Sequence, residues 1–250
     1  MKNYVGSLLV STALVCSYSS TANAQDTADG DYSLSVLLNS DTFFGFNPAF
    51  YGSYNIAEGS DFTFYGIQWS GGTGMNWGNW TEFGVGWAWT VGDWKINPQL
   101  GVLNGNLLSA NDTPEGLEGI VPNLTVIGDG SNWMFEFYSG YYYGFEGNLD
   151  TSRNYIHTWV TPGYKFNNFF ALGLHAEHLR FIAGATPDGQ AEPEDVDLYL
   201  SVGPYIQFSD PKGKSFVRFI YGEDVRGDTP EEMAASNLSE FYKLTVGFNI

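Results

Sequence analysis

The strongest constraint on this chain is a repeated pattern: runs of about ten residues in which apolar side chains recur at every second position. Alternate side chains of a strand point to opposite faces, so each run carries one apolar face and one polar or small face. Val196, Leu198, Leu200, Val202, Pro204, Ile206 and Phe208 form the longest such series. The clearest hairpin surrounds Gly92-Asp93, with Phe83, Val85, Trp87, Trp89 and Val91 before it and Trp94, Ile96, Pro98, Leu100 and Val102 after it. Phe44 to Tyr54 reads as a further strand, with Phe46, Pro48, Phe50 and Tyr54 in register. Asn104 to Val121 reads as a long polar loop, followed by a strand from Asn123 to Gly128. The whole pattern predicts roughly twelve strands. From the second strand onward, short turns alternate with longer loops, which places the long connections at one end. That asymmetry, in runs long enough to cross a bilayer at a tilt, is expected of an all-β, transmembrane, antiparallel up-and-down β-barrel with short periplasmic turns and longer extracellular loops.

The ends and the charge narrow the possibilities. Met1 to Ala24 reads as a secretory signal peptide: Lys2 starts it, Val5 to Cys16 is its apolar core, and Ala22-Asn23-Ala24 is a small-residue cleavage site. Export through the Sec pathway would leave residues 25–250 as the barrel. The chain's single cysteine, Cys16, leaves with the leader, so disulfides play no part in the mature fold. A net charge of −18 argues against nucleic acid as a partner. Disorder, which charge alone would allow, conflicts with 17% aromatic and 43% hydrophobic residues.

The last stretch, Leu238 to Ile250, places Tyr242, Leu244, Val246, Phe248 and Ile250 on one face. It resembles the C-terminal signature of Gram-negative outer-membrane β-barrels, which implies that the barrel assembly machinery reads these residues as an assembly signal. The run from Trp69-Ser70-Gly71-Gly72-Thr73-Gly74 through Trp77-Gly78-Asn79-Trp80 to Gly86 is similar to an uncharacterised barrel family carried as a domain of unknown function. The closing Phe241 to Phe248 is similar to that family's end. The resemblance implies a location in the cell outer membrane, with outer-membrane lipid and lipopolysaccharide as partners.

Residues between the apolar ones point inward in such a barrel. The lumen-lining candidates are Glu82, Lys95, Glu136, His175, Glu177, Asp197, Arg218 and Lys243, a mixed-charge set that fits either a narrow aqueous pore or a salt-bridged interior. His175-Ala176-Glu177-His178 invites a metal reading, but on a strand His178 faces away from the other two, so no metal site is expected. No spacing guarantees a nucleophile beside a base, so no catalytic residue and no cofactor are expected. The later long loops carry many acids, including Asp112, Glu115, Glu118, Asp224 and the group Asp188, Glu192, Glu194 and Asp195, opposed by Arg153 and Arg226. They form either a solvated, self-repelling surface or an acidic extracellular mouth that gathers cations and binds divalent ions shared with lipopolysaccharide. Two functions fit: a porin-like channel for small solutes with that acidic mouth, or a non-conducting structural or surface-interaction barrel. An arginine bridged to acids across the lumen would favour the second, and a continuous polar path the first.

Overall fold

The computed structural model describes residues 32–69, 80–105, 107–108, 115–145, 153–184, 195–227 and 239–250. The expected signal peptide, residues 1–24, lies outside this set. The described residues form twelve strands: β1 Tyr32–Asp41, β2 Gly45–Ala57, β3 Ser60–Trp69, β4 Trp80–Val91, β5 Trp94–Gly105, β6 Glu115–Asp129, β7 Trp133–Gly144, β8 Arg153–Lys165, β9 Phe170–Gly184, β10 Val196–Ser209, β11 Ser215–Asp224 and β12 Glu240–Asn249. Each pairs antiparallel with its sequence neighbours, and β1 pairs with β12 from Ser35↔Asn249 to Asp41↔Lys243, which closes the sheet into a barrel. Closure leaves no strand edge unpaired, a condition for crossing lipid with strands.

The alternation sets which face is which. Trp87, Trp89, Leu100, Ile206, Phe208, Phe219 and Leu244 point out and are exposed. In water such a band would be an aggregation surface, whereas against lipid it is the expected outer wall. At the turn end, Trp94 lies 5.0 Å from Trp133, and Phe169 lies 5.4 Å from Phe208, as ring-to-ring distances. Such amphipathic or bulky rings suit the headgroup boundary. The two-residue turn between β4 and β5 uses Gly92 at a positive φ of 58°, the conformation a tight hairpin needs. Inside, Tyr205 of β10 lies over Gly163 of β8 and Gly173 of β9, which leave room for its ring by lacking a Cβ.

Three features differ from the sequence reading. β6 starts at Glu115, not near Asn123, so much of the expected Asn104–Val121 loop is wall. Phe44 is not part of β2: Thr42, Phe43 and Phe44 form the β1–β2 turn, and Phe43 and Phe44 fold inward, 2% and 6% exposed. Asp41 holds this turn by accepting from the Phe43 and Phe44 amides (3.0 and 2.5 Å) and from the Asn47 amide group (3.0 Å). Third, a β-bulge between Asp197 and Tyr199 breaks the strict alternation of β10. The extra residue resets the facing, so Asp197 points outward and is a correction to the expected lumen set.

Candidate functional site

The interior is organised around two buried carboxylates. Glu177 of β9, fully buried, accepts at Oε2 from Lys243 Nζ of β12 (2.8 Å) and at Oε1 from the Tyr199 hydroxyl of β10 (2.7 Å). His175 Nε2 lies 2.9 Å from Oε2, and His157 Nε2 of β8 lies 3.0 Å from Oε1. A carboxylate accepts and does not donate, so both histidines carry a proton at Nε2. His175 Nδ1 is then the acceptor for the Thr161 hydroxyl, 2.8 Å away. Four donors fill the roughly four acceptor positions of the Glu177 carboxylate. The arrangement binds four strands to one charge, and it leaves no ring nitrogen of His175 free for proton transfer.

Glu82 of β4 is the second hub, 1% exposed. The Tyr65 hydroxyl donates to Oε1 (2.5 Å), while Trp69 Nε1 and the Tyr142 hydroxyl donate to Oε2 (both 3.3 Å). The Asn123 amide of β6 donates in turn to Tyr65 Oη at 2.8 Å. Glu82 is thus held by neutral donors, and Glu177 by a cation as well.

A third contact crosses the lumen. Arg218 of β11 donates from Nη1 and Nη2 to Glu136 of β7 at 2.9 and 2.6 Å, and from Nε to Gln207 at 2.8 Å. β7 and β11 are separated by three strands in the barrel, so the guanidinium spans its interior. Such bidentate Arg–carboxylate pairs are geometrically specific. Lys95 makes a similar but more exposed pair with Asp61 at 2.6 Å, near the turn end.

Toward the loop end, rings fill the cross-section. Phe43 packs on Tyr199 (4.7 Å between centroids), and Phe44 on Trp69 (4.7 Å) and the His157 ring (5.3 Å). Trp80, Leu107, Leu108, Tyr155 and Phe241 complete the cluster. Leu107 and Leu108 are tied in by their amides, which donate to Glu118 at 3.0 and 2.9 Å. Within this plug a small pocket of about 20 Å³ lies between Phe44, Trp69, Trp80 and His157. Toward the turn end the barrel is hollow. A cavity of about 430 Å³ runs from Ser33, Ser53 and Ile250 at the rim to Trp69, Trp159, His175 and Lys243 at mid-barrel.

Of the expected lumen residues, Lys95, Glu136, His175, Arg218 and Lys243 border this cavity. Glu82 and Glu177 face inward but are covered by their partners. Asp197 sits outside, 2.8 Å from His178 Nε2. Tyr242, Leu244, Val246 and Phe248 lie on the outer face of β12, and Ile250 follows it. Asp188, Glu192 and Glu194 of the expected acidic mouth lie outside the described residues. Asp195 is at the loop end, exposed and 3.4 Å from Arg180. Two other expected mouth acids are held in the wall: Glu118 accepts from the Leu107 and Leu108 amides, and Asp224 pairs with Arg226 Nε at 2.7 Å. Sequence reasoning missed His157 and Tyr199 as partners of Glu177, and Thr161 as the partner of His175. The signal was present, since each shares the inward face of its strand, but register between strands brings them together. Among the described residues, no cluster of three or more His, Cys, Asp or Glu side chains could hold a metal ion.

A closed twelve-stranded antiparallel barrel with an apolar outer band, aromatic clusters at its turn end and charged groups in its interior has the architecture of an outer-membrane β-barrel. The chain belongs to a family of unknown function, DUF6733, matched over residues 1–250. No curated protein matches the sequence. The structure is similar to the NanC porin, with a TM-score of 0.52 and 14% identity over 86% of this chain and 98% of that one. It is also similar to the COG4313 outer membrane channel from Pseudomonas putida F1, with a TM-score of 0.57 and 10% identity over 93% and 100%. At these identities the likeness is one of fold.

Proposed function

We propose that this protein is a structural or surface-interaction barrel of the outer membrane whose lumen does not conduct in the state described. The observation that carries this reading is the aromatic plug around Phe43 and Phe44, with the Arg218–Glu136 pair narrowing the lumen on its turn-end side. A permeant ion would have to displace packed rings, which is costly in a close-packed interior. Outer-membrane lipid against the apolar band and the assembly machinery at β12 are the partners this reading requires. The barrel is read as non-enzymatic: the Thr161–His175–Glu177 chain resembles a relay, but the Glu177 carboxylate and both ring nitrogens of His175 are already engaged.

One observation favours the second reading, a porin-like channel for small solutes with an acidic mouth. The turn-end cavity already reaches mid-barrel, so the plug alone separates it from the loop end. Single-channel recording on the refolded protein in planar bilayers separates the two. A silent bilayer supports the closed barrel, and stable conductance steps from the unmodified protein would establish the channel.

A further inference from the structure

We propose that the turn-end cavity is a binding site for a small organic anion, a carboxylate or phosphate on an apolar or aromatic body, admitted from the periplasmic side. Its charge runs against that of the chain. The protein carries −18 overall, yet the charged side chains bordering the cavity are Lys95, Arg218, Lys243 and Glu136, three bases to one acid, with the Ile250 carboxylate at the rim. The acids that pair with the other two bases face inward without bordering the cavity: Glu177 is covered by its partners, and Asp61 lies 2.6 Å from Lys95.

Hydrogen-bond capacity points the same way. Arg218 has five N–H donors, and its bonds to Glu136 and Gln207 use three. Lys243 has three, and its bond to Glu177 uses one. Both side chains are largely buried, 7% and 15% exposed, where donors call for acceptors. In the β11–β12 register Arg218 lies opposite Thr245 and Ile220 opposite Lys243. The two cations are therefore diagonal neighbours on the inward face, about 7–8 Å apart at the backbone. A carboxylate or phosphate between them would accept from both and relieve their mutual repulsion.

The walls fit an apolar body. Trp159 stacks on Tyr138 at 4.0 Å between centroids, and Lys243 Nζ lies 5.4 Å from the Trp159 ring. Phe216 lies on the other side, with its ring 5.4 Å from the Arg218 guanidinium carbon. The cavity's volume of about 430 Å³ falls in the usual range of small-molecule sites. Its rim is at the turn end and its inner end is the plug, so entry is from the periplasm. The site does not depend on whether the barrel conducts.

The test uses the whole refolded barrel in detergent micelles, with folding checked by mobility in cold gels. Benzoate, phenyl phosphate and inorganic phosphate are titrated by calorimetry, with benzamide as the uncharged counterpart of benzoate. Benzoate is expected to bind at least about ten-fold tighter than benzamide, and phosphate to compete with it. Binding is expected to perturb tryptophan fluorescence, and the perturbation should vanish in Trp159→Phe/Trp69→Phe, the two tryptophans that border the cavity, which places the ligand there. Lys243→Met with Glu177→Gln removes a base together with its buried partner and should weaken benzoate by about ten-fold or more. Equal affinity for benzoate and benzamide would overturn the proposal, as would no heat from any of the three anions at millimolar concentration. Unchanged benzoate binding in the folded double variant would overturn it too. If that variant does not fold, the benzoate–benzamide comparison on the native protein decides alone.

Discussion

Truncating the plug at the β1–β2 turn tests the closed-barrel reading most directly. In Phe43→Ala/Phe44→Ala both removed rings come from the buried cluster, 2% and 6% exposed. Each loss of a buried phenyl ring costs about 3–5 kcal/mol. The two rings touch, with centroids 4.9 Å apart, so their effects couple and the pair should cost about 5–8 kcal/mol. The turn itself should survive. Asp41 binds the amides of residues 43 and 44 and the side chain of Asn47, and side-chain truncation leaves those bonds in place. The twelve-strand ladder is likewise untouched. The variant is therefore expected to reach the outer membrane and to shift mobility on boiling, with a lower urea midpoint than the native protein. In planar bilayers it should show conductance steps at voltages where the native protein is silent. An assembled, heat-modifiable variant that stays as silent as the native protein would refute the argument that these rings close the lumen.

The other expectations follow from single contacts. Lys243→Met strands the buried Glu177 charge and should cost about 3–5 kcal/mol in urea unfolding, most of it restored by adding Glu177→Gln. In Gly173→Ala the new methyl would meet the Pro162 carbonyl oxygen and lie 2.7 Å from Gly163 Cα, backbone that cannot swing away, so unfolding should show a loss of about 1–3 kcal/mol. Phe248→Asp places a charge near the interface at a direct cost of up to about 1 kcal/mol. Assembled protein in cells should nevertheless fall sharply, and normal levels of Phe248→Asp/Tyr242→Asp would refute the role of β12 as an assembly signal. Should the plug-deleted variant conduct, reversal potentials should show a mild cation preference, weaker in 1 M than in 0.1 M salt as the Debye length falls from about 10 to about 3 Å. Neutralising Asp188, Glu192, Glu194 and Asp195 together should reduce it further, and anion preference at low salt would mean that Lys95, Arg218 and Lys243 govern permeation.

Period-two alternation carried most of the fold, because a strand with lipid on one side and polar groups on the other must repeat every second residue. It placed Glu82, Glu136, Glu177, Arg218 and Lys243 on the inward face. It failed where one residue is inserted. The bulge at Asp197/Tyr199 leaves no mark in composition, and it sends Asp197 outside while Val196 and Tyr199 point in. It also failed at Phe44, whose parity with Phe46, Phe50 and Tyr54 suggested the lipid face. The backbone turns there under the hold of Asp41, and no periodicity reports a turn that folds into the lumen. The pairing of Glu177 with His157 and Lys243 was illegible for another reason. These residues lie on different strands, 20 and 66 positions away, and only barrel register brings them within hydrogen-bond reach.

The cation that compensates Glu177 sits on the last strand to be made. While β12 is undocked, the carboxylate can gather His157, His175 and Tyr199 from β8, β9 and β10, but it has no positive partner. Docking of β12 and neutralisation of the interior are therefore a single event. A sheet without β12 carries a charge it cannot bury, which favours completion over a stalled, eleven-strand sheet. We expect a chain ending before Glu240 to hold water at Glu177, visible as fast amide exchange in β9 relative to the intact barrel. Equal protection of β9 in the two would show that β12 docking and the charge are independent.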